Sequence, residues 1–159
     1  MTVDVRTALK SDADQMAELI NRIIAIGGTT AYRTPFDGRK IISEFIGPEL
    51  AICCHVAVET GTVCGFQALL WSDPSWPGED SLPSDWAVIA TYVDPETHGK
   101  GIGRALFTRT AAAAGDAGVR AIDATIRKEN AGGLSYYARM GFEDYRSGEE
   151  TVSKKYTPV

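Results

Sequence analysis

The stretch Val93-Asp94-Pro95-Glu96-Thr97-His98-Gly99-Lys100-Gly101-Ile102-Gly103-Arg104-Ala105-Leu106 runs from an apolar strand into a helix through three alternating glycines. At a helix start the first backbone N–H groups have no intrahelical partner, and the helix dipole adds about half a positive charge there. Glycines remove the Cβ atoms that would hold an anion away from these N–H groups, and they permit a tight turn. The stretch therefore predicts a phosphate or diphosphate site. An ordinary glycine-rich turn before an amphipathic helix is the alternative that it leaves open.

The order of residues in this stretch excludes two well-known glycine loops. A dinucleotide-binding loop needs Gly-x-Gly-x-x-Gly, whereas Arg104 stands where the third glycine would follow Gly99 and Gly101. A Walker loop needs Gly-Lys followed by Ser or Thr, whereas Lys100 is followed by glycine. A phosphate-bearing ligand of another kind is therefore expected.

Two motifs of the chain resemble those of the GCN5-related N-acetyltransferase superfamily. The first is the acetyl-CoA-binding signature Arg/Gln-x-x-Gly-x-Gly/Ala, which reads His98-Gly99-Lys100-Gly101-Ile102-Gly103 here. The second is Asn-x-x-Ala-x-x-x-Tyr-x-x-x-Gly-Phe, which the chain matches, with glycine at the alanine position, through Asn130, Gly133, Tyr137, Gly141 and Phe142. The chain departs from the first motif at His98, which affects only a side-chain contact at the loop entrance.

The resemblance implies that acetyl-CoA is the co-substrate and that the backbone supplies most of its binding. The end of the strand before the glycine loop would hydrogen-bond the pantetheine amides, the loop would take the pyrophosphate, and the last helix would contact pantetheine through its first residue. The residues expected to bind acetyl-CoA are Thr91, Tyr92, Val93, His98, Gly99, Lys100, Gly101, Ile102, Gly103, Arg104 and Asn130. Lys100 and Arg104 are alternatively solvated surface cations, and Asn130 is alternatively a helix N-cap.

Tyr137 is the predicted catalytic residue. It follows Asn130 by seven residues, or two helical turns, so both side chains lie on nearly the same helix face. By resemblance, the Tyr137 hydroxyl acts as a general acid that protonates the leaving coenzyme thiolate. Tyr136 is rotated by about 100° around the helix and is interpreted as a packing or rim residue. Without the motif, Tyr137 would be interpreted as a core aromatic.

The composition fits one domain over residues 1–159. At 159 residues and 44% hydrophobic, the chain suffices for one core and not for two domains. The net charge of −5 argues against nucleic-acid binding. No apolar run reaches the roughly 18 residues of a membrane span, and no signal peptide is recognisable, so a cytoplasmic protein without a membrane partner is expected. The three cysteines have neither disulfide nor metal-site spacing, and no metal is expected.

The pattern of apolar residues and turn signals predicts the order β-α-α-β-β-β-α-β-α-β-β. The first strand falls at residues 3–7, a helix opened by a Ser11 capping box ends at Gly27, and a hairpin turns at Thr60-Gly61. The two last strands join across Ser147-Gly148. The fold class is α/β (α+β): a mixed, mostly antiparallel sheet of about seven strands flanked by about four helices. By resemblance, two strands splay apart and form the acetyl-CoA slot.

The substrate side of the site is predicted from a shorter resemblance. Residues 29–35 look like the matching loop of phosphinothricin-type and related amino-acid acetyltransferases. In that interpretation Arg33 holds a substrate carboxylate or phosphinate, and aromatic side chains wall the pocket, while surface and core roles are the alternatives. Val88 occupies the strand position where that branch has a glutamate. The expected substrate residues are Tyr32, Arg33, Trp76, Trp86 and Val88.

The general base stays open. In the superfamily that the chain resembles, two strand positions often carry the base. Here they hold Thr125 and Val88, which are not bases. The other carboxylates considered are Glu44, Glu79, Asp80 and Asp85, and His55 is interpreted as a core histidine.

The expected function is acetyl-CoA-dependent N-acetylation of a primary amine of a small molecule, by direct attack in a ternary complex. The alternatives are a phosphinothricin or amino-acid N-acetyltransferase, a protein N-acetyltransferase and a degenerate acyl-CoA-binding module. A covalent route through Cys53, Cys54 or Cys64 is disfavoured, because the apolar neighbours of these cysteines indicate buried thiols. A small-molecule amine is the expected partner, and assembly into a homodimer stays open.

Overall fold

A computed structural model describes residues 3–76, 78, 81–97 and 99–158 of the chain. These residues form seven strands and four helices. The strands are β1 (Asp4–Thr7), β2 (Ala51–Glu59), β3 (Thr62–Trp71), β4 (Trp86–Val93), β5 (Ala121–Arg127), β6 (Glu143–Ser147) and β7 (Thr151–Tyr156). The helices are α1 (Ala13–Ile26), α2 (Gly38–Ile41, continued by a π-helical turn over Ile42–Ile46), α3 (Ile102–Ala117) and α4 (Ala131–Arg139). Short 3₁₀ turns precede α1 at Lys10–Asp12 and follow β4 at Pro95–Thr97.

The strands form one sheet in the order β1-β2-β3-β4-β5-β7-β6. Every neighbouring pair is antiparallel except β4 with β5, which is parallel. The predicted element order and the mixed, mostly antiparallel sheet are confirmed. β7 lies between β5 and β6, so the last strand in the chain occupies an inner position of the sheet.

Helices cover both faces of the sheet. The apolar positions of α1, spaced three and four residues apart, are buried against β2 and β3 together with α2. On the opposite face, α3 and α4 pack on Leu69, Ala87, Ile89 and alternate residues of β5. No helix of the described part of the chain is both long and apolar enough to cross a membrane.

Of three predicted boundaries, one changes for an identifiable reason and two are confirmed. The predicted capping box at Ser11 does not form, because the Asp12 carboxylate accepts the backbone N–H of Leu9 at 2.7 Å and N–H groups from both ends of the Arg6 guanidinium. α1 therefore begins at Ala13. The predicted end of α1 is confirmed, since Gly27 adopts a φ of 78°. The predicted hairpin turn is also confirmed, with positive φ at both Thr60 and Gly61.

Candidate functional site

A cleft lies where β4 and β5 separate. The two strands pair over only three residues each, and the last pair joins Val88 to Asp123. Beyond that pair β4 continues to Val93 and β5 continues to Arg127, with α3 and α4 following them. The opening between the strands is a cleft of about 880 Å³. The splayed strand pair expected from the resemblance is thus present.

The loop before α3 forms one end of this cleft, and two of its glycines have left-handed backbone conformations. Gly99 has a φ of 85° and Gly101 a φ of 73°, values that favour glycine. A Cβ built on either residue meets no atom within 4 Å, so the space in front of the loop is open. No side chain caps the N-terminus of α3. The N–H groups of its first turn are therefore available to an anion in the cleft.

Gly103 is a glycine for a different reason than the sequence suggested. A Cβ at this position would lie 2.5 Å from Cε1 of Tyr136, so the missing Cβ makes room for the Tyr136 ring. The Tyr136 hydroxyl donates to the Gly103 carbonyl at 2.7 Å. Tyr136 therefore packs α4 against the first turn of α3, which agrees with its predicted packing role.

The charge of the cleft is opposite to that of the whole chain. Three arginines line the cleft, namely Arg104, Arg127 and Arg139, and no Asp or Glu is among the described residues that line it. The chain as a whole carries a net charge of −5. An anionic ligand is favoured at such a surface.

Lys100 does not line the cleft. Its ammonium group lies 3.2 Å from the Glu59 carboxylate and forms an ion pair with it, and the phosphate contact of this side chain stays a prediction. His98, the other predicted polar side chain of the loop, lies outside the described residues.

Asn130 caps α4 at the mouth of the cleft. Its Oδ1 accepts the backbone N–H of Gly133 at 2.9 Å, and its Nδ2 donates to the Thr29 carbonyl at 3.1 Å. A Cβ on Gly133 would approach the Asn130 amide to 2.5 Å, which explains the glycine at the motif's alanine position. Asn130 therefore caps α4 and also connects it to the loop that follows α1.

Tyr137 lies at the inner part of the cleft and is 8% exposed. Its hydroxyl is 2.8 Å from Thr91 Oγ1, and that oxygen accepts a hydrogen bond from Gln67 Nε2 at 2.9 Å. Burial raises the pKa of Tyr137 well above its usual range, although the hydrogen bond with Thr91 opposes this shift. The phenol is therefore protonated at every physiological pH. The other predicted strand residues, Tyr92 and Val93, also line the cleft.

The structure brings one of the five predicted substrate residues, Tyr32, to the cleft. Arg33 instead braces its own loop, because its guanidinium donates to the carbonyls of Thr30 at 2.6 Å and Tyr32 at 3.3 Å. Trp76 is 56% exposed on the loop between β3 and β4. It does not line the cleft.

The remaining two predicted substrate residues lie where β4 and β5 are paired. The Trp86 ring packs edge-on against Tyr145 at a centroid distance of 5.5 Å. Val88 is 37% exposed and pairs with Asp123 just before the strands separate. Neither lines the cleft, because strand pairing closes the gap at this level.

None of the described carboxylates considered as a base lines the cleft. Glu44 is exposed on the turn after α2, and Asp85 lies 3.8 Å from Arg120 at the other end of β4. Glu79 and Asp80 lie outside the described residues. His55 is buried, which lowers its pKa and keeps the ring neutral.

A buried acid that sequence reasoning missed lies directly behind the wall of the cleft. Thr125 lines the cleft, and its hydroxyl donates to the Asp123 carboxylate at 3.0 Å. Asp123 is 4% exposed and also accepts the Tyr145 hydroxyl at 2.5 Å. Because Asp123 and Thr125 are two positions apart on β5, they share one face of the strand. The signal that points to Asp123 is a single acid inside the otherwise apolar start of that strand.

The cysteine thiols are unsuited to nucleophilic catalysis. None of the three lines the cleft. Burial raises the pKa of Cys53 to about 11 and that of Cys54 to about 12, and it also raises the pKa of Cys64. Thiolate is the reactive form, so these thiols are inert near neutral pH.

Comparison with known proteins agrees with this geometry. Residues 17–142 match the acetyltransferase (GNAT) family. The L-amino acid N-acyltransferase MnaT of Escherichia coli is 27% identical over 141 residues, which are 88% of this chain and 79% of that protein. An uncharacterised N-acetyltransferase of Methanocaldococcus jannaschii is 38% identical over 53 residues, which cover 33% of this chain and only 24% of the relative.

Among solved structures, a phosphinothricin acetyltransferase of Sinorhizobium meliloti in complex with acetyl-CoA has the same fold. It superposes with a TM-score of 0.80 at 21% identity, over 99% of this chain and 89% of that one. The chain belongs to the GNAT family and is an acetyl-CoA-dependent N-acetyltransferase. The family, the enzyme class and the acetyl-CoA co-substrate predicted from the sequence are confirmed.

Proposed function

We propose that this enzyme transfers the acetyl group of acetyl-CoA to the primary amine of a small molecule, by direct attack in a ternary complex. The observation that carries the proposal is the course of the cleft. It runs from the uncapped start of α3, where phosphates would bind, to the Tyr137 hydroxyl at the point where β4 and β5 separate. A thioester linked to a diphosphate by an extended arm fits such a cleft. The unactivated cysteines support attack by the amine itself and not by a protein thiolate.

Tyr137 stabilises the leaving group. As the amine attacks, the C–N bond forms and the C–S bond breaks, with its electron pair passing to sulfur. The Tyr137 hydroxyl donates a hydrogen bond to that sulfur. Because burial raises the pKa of Tyr137, loss of its proton is costly, and stabilisation of the thiolate by hydrogen bonding dominates over complete transfer.

The proton that a substrate ammonium must lose has a route through Thr125. The Thr125 hydroxyl lies in the cleft wall and donates to Asp123 behind it. An ammonium N–H that reaches Thr125 Oγ1 passes its proton to that oxygen while the Thr125 proton moves to Asp123. The neutral amine then attacks. The second N–H proton, lost after attack, converts the coenzyme thiolate to the free thiol.

Asp123→Asn tests this route through the pH profile. We expect turnover near neutral pH to fall at least about tenfold, because general-base catalysis is typically worth 10²–10⁴-fold. The loss should shrink as the pH approaches the pKa of the acceptor amine, where the amine loses its proton without help. Tyr145→Phe is the control, since it removes a hydrogen bond to Asp123 and keeps the carboxylate. An equal loss at every pH would make Asp123 a structural residue.

An amino acid is the second candidate acceptor, and Arg127 favours it. Arg127 lies two residues after Thr125 on the same face of β5 and lines the cleft. Its Nε donates to Glu129 at 2.8 Å, which orients the guanidinium. A carboxylate bound there would place the neighbouring ammonium of an amino acid towards Thr125. This assigns to Arg127 the role predicted for Arg33, and it is supported by the similarity to an L-amino acid N-acyltransferase.

An acceptor screen with acetyl-CoA tests the function. Free thiol release is measured with amino acids, with the amines that remain when their carboxylate is removed, with polyamines and with short peptides. Turnover of a small amine above the rate of hydrolysis supports the proposal. A preference for amino acids over the matched amines that disappears in Arg127→Gln supports the second candidate. Turnover of peptides alone would indicate a protein acetyltransferase, and binding without any turnover would indicate a degenerate module.

A further inference from the structure

Gln67 is a fully buried polar side chain on β3 that the mechanism above does not use. It is 0% exposed, and its strand register places it opposite Thr91. Its Nε2 group lies 2.9 Å from Thr91 Oγ1 and 3.1 Å from Tyr136 Oη. Its Oε1 atom is buried and accepts no hydrogen bond from the described residues. An unpaired buried carbonyl is costly, so the orientation of this amide needs a reason.

The hydrogen bond between Tyr136 and Gly103 explains the orientation of the Gln67 amide. A backbone carbonyl only accepts hydrogen bonds, so the proton in the 2.7 Å contact between Tyr136 Oη and Gly103 O belongs to Tyr136. Because that proton is committed, Tyr136 Oη acts as an acceptor towards Gln67. The neighbouring atom of Gln67 must then be Nε2, since Oε1 in its place would bring two acceptors together. Tyr136 therefore fixes which way the Gln67 amide faces.

The second N–H of the same amide sets the direction of the next link. Gln67 Nε2 donates to Thr91 Oγ1, and the other partner of that oxygen is the Tyr137 hydroxyl at 2.8 Å. If Thr91 donates its own proton to Tyr137 Oη, both of its bonds are satisfied. The Tyr137 proton is then left to point into the cleft. The reverse direction would leave Thr91 without an acceptor among these partners.

We infer that Gln67 is a positioning residue for acetyl transfer, which orients the Thr91 hydroxyl so that Tyr137 directs its O–H at the leaving sulfur. The chain of hydrogen bonds starts at the first turn of α3 and ends at the sulfur, so the two sides of the cleft are connected through β3. This inference rests on the role of Tyr137 in the proposed function.

The bound coenzyme product, CoA, gives a test that needs no acceptor. An O–H aimed at sulfur stabilises the thiolate, so it lowers the pKa of the thiol of bound CoA below its usual value of about 8.5. The thiolate is followed by its ultraviolet absorbance during a pH titration of the CoA complex. The cysteines of the enzyme interfere little, because burial raises the pKa of Cys53 to about 11 and that of Cys54 to about 12, and it also raises the pKa of Cys64. A parallel titration of the enzyme without CoA gives the absorbance of its own thiols and phenols, which is subtracted. Tyr136 has a pKa raised to about 12 and does not interfere either.

The variant is Gln67→Met, which keeps the volume and removes both donors. We expect it to raise the pKa of the bound thiol by about half a unit to one unit, in the same direction as Tyr137→Phe. The control is the double variant Gln67→Met with Tyr137→Phe. In that background the added effect of the methionine should vanish, because the hydroxyl that Gln67 orients is gone. Equal shifts in both backgrounds, or no shift from Gln67→Met, would overturn the inference.

Gln67→Glu is the second variant, in case the apolar replacement does not fold. A carboxylate accepts the Thr91 proton and turns the Tyr137 hydroxyl away from sulfur. It also raises the thiol pKa through its charge, so only the part that disappears in the Tyr137→Phe background supports the inference. If calorimetry detects no binding of CoA to the wild-type enzyme, that result contradicts the proposed function instead. A Tyr137→Phe variant with an unchanged thiol pKa would overturn both the Tyr137 role and this inference.

Discussion

Two helices begin at the same cleft, and they begin in opposite ways. α3 follows β4 through Gly101, which has a left-handed conformation and, as a glycine, no side chain to cap the helix. α4 follows β5 through Asn130, whose side chain accepts the N–H of Gly133. The free N–H groups of the first helix suit a multiply charged ligand, while the second helix uses its own cap and contributes side chains instead. Changes at α3 should therefore alter coenzyme affinity, and changes along α4 should alter turnover or helix stability.

The largest expected effect is on turnover, at Tyr137. Tyr137→Phe keeps the ring and its packing and removes the O–H donor to sulfur. Turnover should fall about 10²-fold with little change in CoA affinity, since the lost interaction is made mainly in the transition state. Steady-state kinetics with the acceptor from the screen and calorimetry with CoA measure the two quantities. Tyr136→Phe is the comparison on the same helix, and a smaller loss is expected there because Tyr136 acts on Tyr137 only through Gln67 and Thr91. A near-native Tyr137→Phe enzyme would remove the catalytic role from α4.

The next effect is on affinity, at the start of α3. Gly101→Glu places a side chain and a negative charge where the diphosphate is expected, so acetyl-CoA affinity should fall at least tenfold, or about 1.4 kcal/mol. Gly118→Glu is a matched control, because Gly118 ends the same helix with a φ of 76° and equally open surroundings. Both variants carry the same backbone strain. Equal affinities in the two folded variants would contradict the phosphate site.

The smallest effect is on stability, at the start of α4. Asn130→Ala removes the cap and the link to Thr29, and it should lower the free energy of unfolding by about 1 kcal/mol. For a chain of this size this corresponds to a fall in Tm of roughly 2–4 °C, which calorimetry resolves. Asn130→Ser restores a capping oxygen without reaching Thr29. If the serine variant is as unstable as the alanine variant, the link to Thr29 and not the cap stabilises this region.

The sequence predicted the parts of the site that depend on backbone near in sequence. The conformations of Gly99 and Gly101, the cap at Asn130 and the burial of Tyr137 follow from turn chemistry and helical spacing, and the structure has each of them. Contacts between distant segments were not predictable in this way. The ion pair of Lys100 with Glu59 is an example, because Glu59 lies 41 residues away in the chain and beside Lys100 in space.

On the acceptor side of the cleft, even fewer contacts between distant segments could be predicted from the sequence. The loop resemblance suggested Arg33 as a carboxylate ligand. A resemblance of this kind does not show which backbone carbonyls the guanidinium reaches. Asp123 was overlooked because an acid within an apolar strand indicates a buried charge, but it does not show that the charge contacts Thr125 in the wall of the cleft. Gln67 was overlooked for the same reason, since its partners come from β4 and α4.

By itself the sequence determined the family, the order of the elements, the glycine turn before α3 and the helix that carries Tyr137. These features are local, because glycine dihedral angles, caps and a 3.6-residue period are properties of short segments. Only the tertiary structure decided that β7 lies between β5 and β6, that strand pairing ends at Val88 and Asp123, and that one chain of hydrogen bonds connects Gly103 to Tyr137. Each of these depends on which distant groups meet, and a hydrogen bond acquires its direction only from the partners that packing supplies.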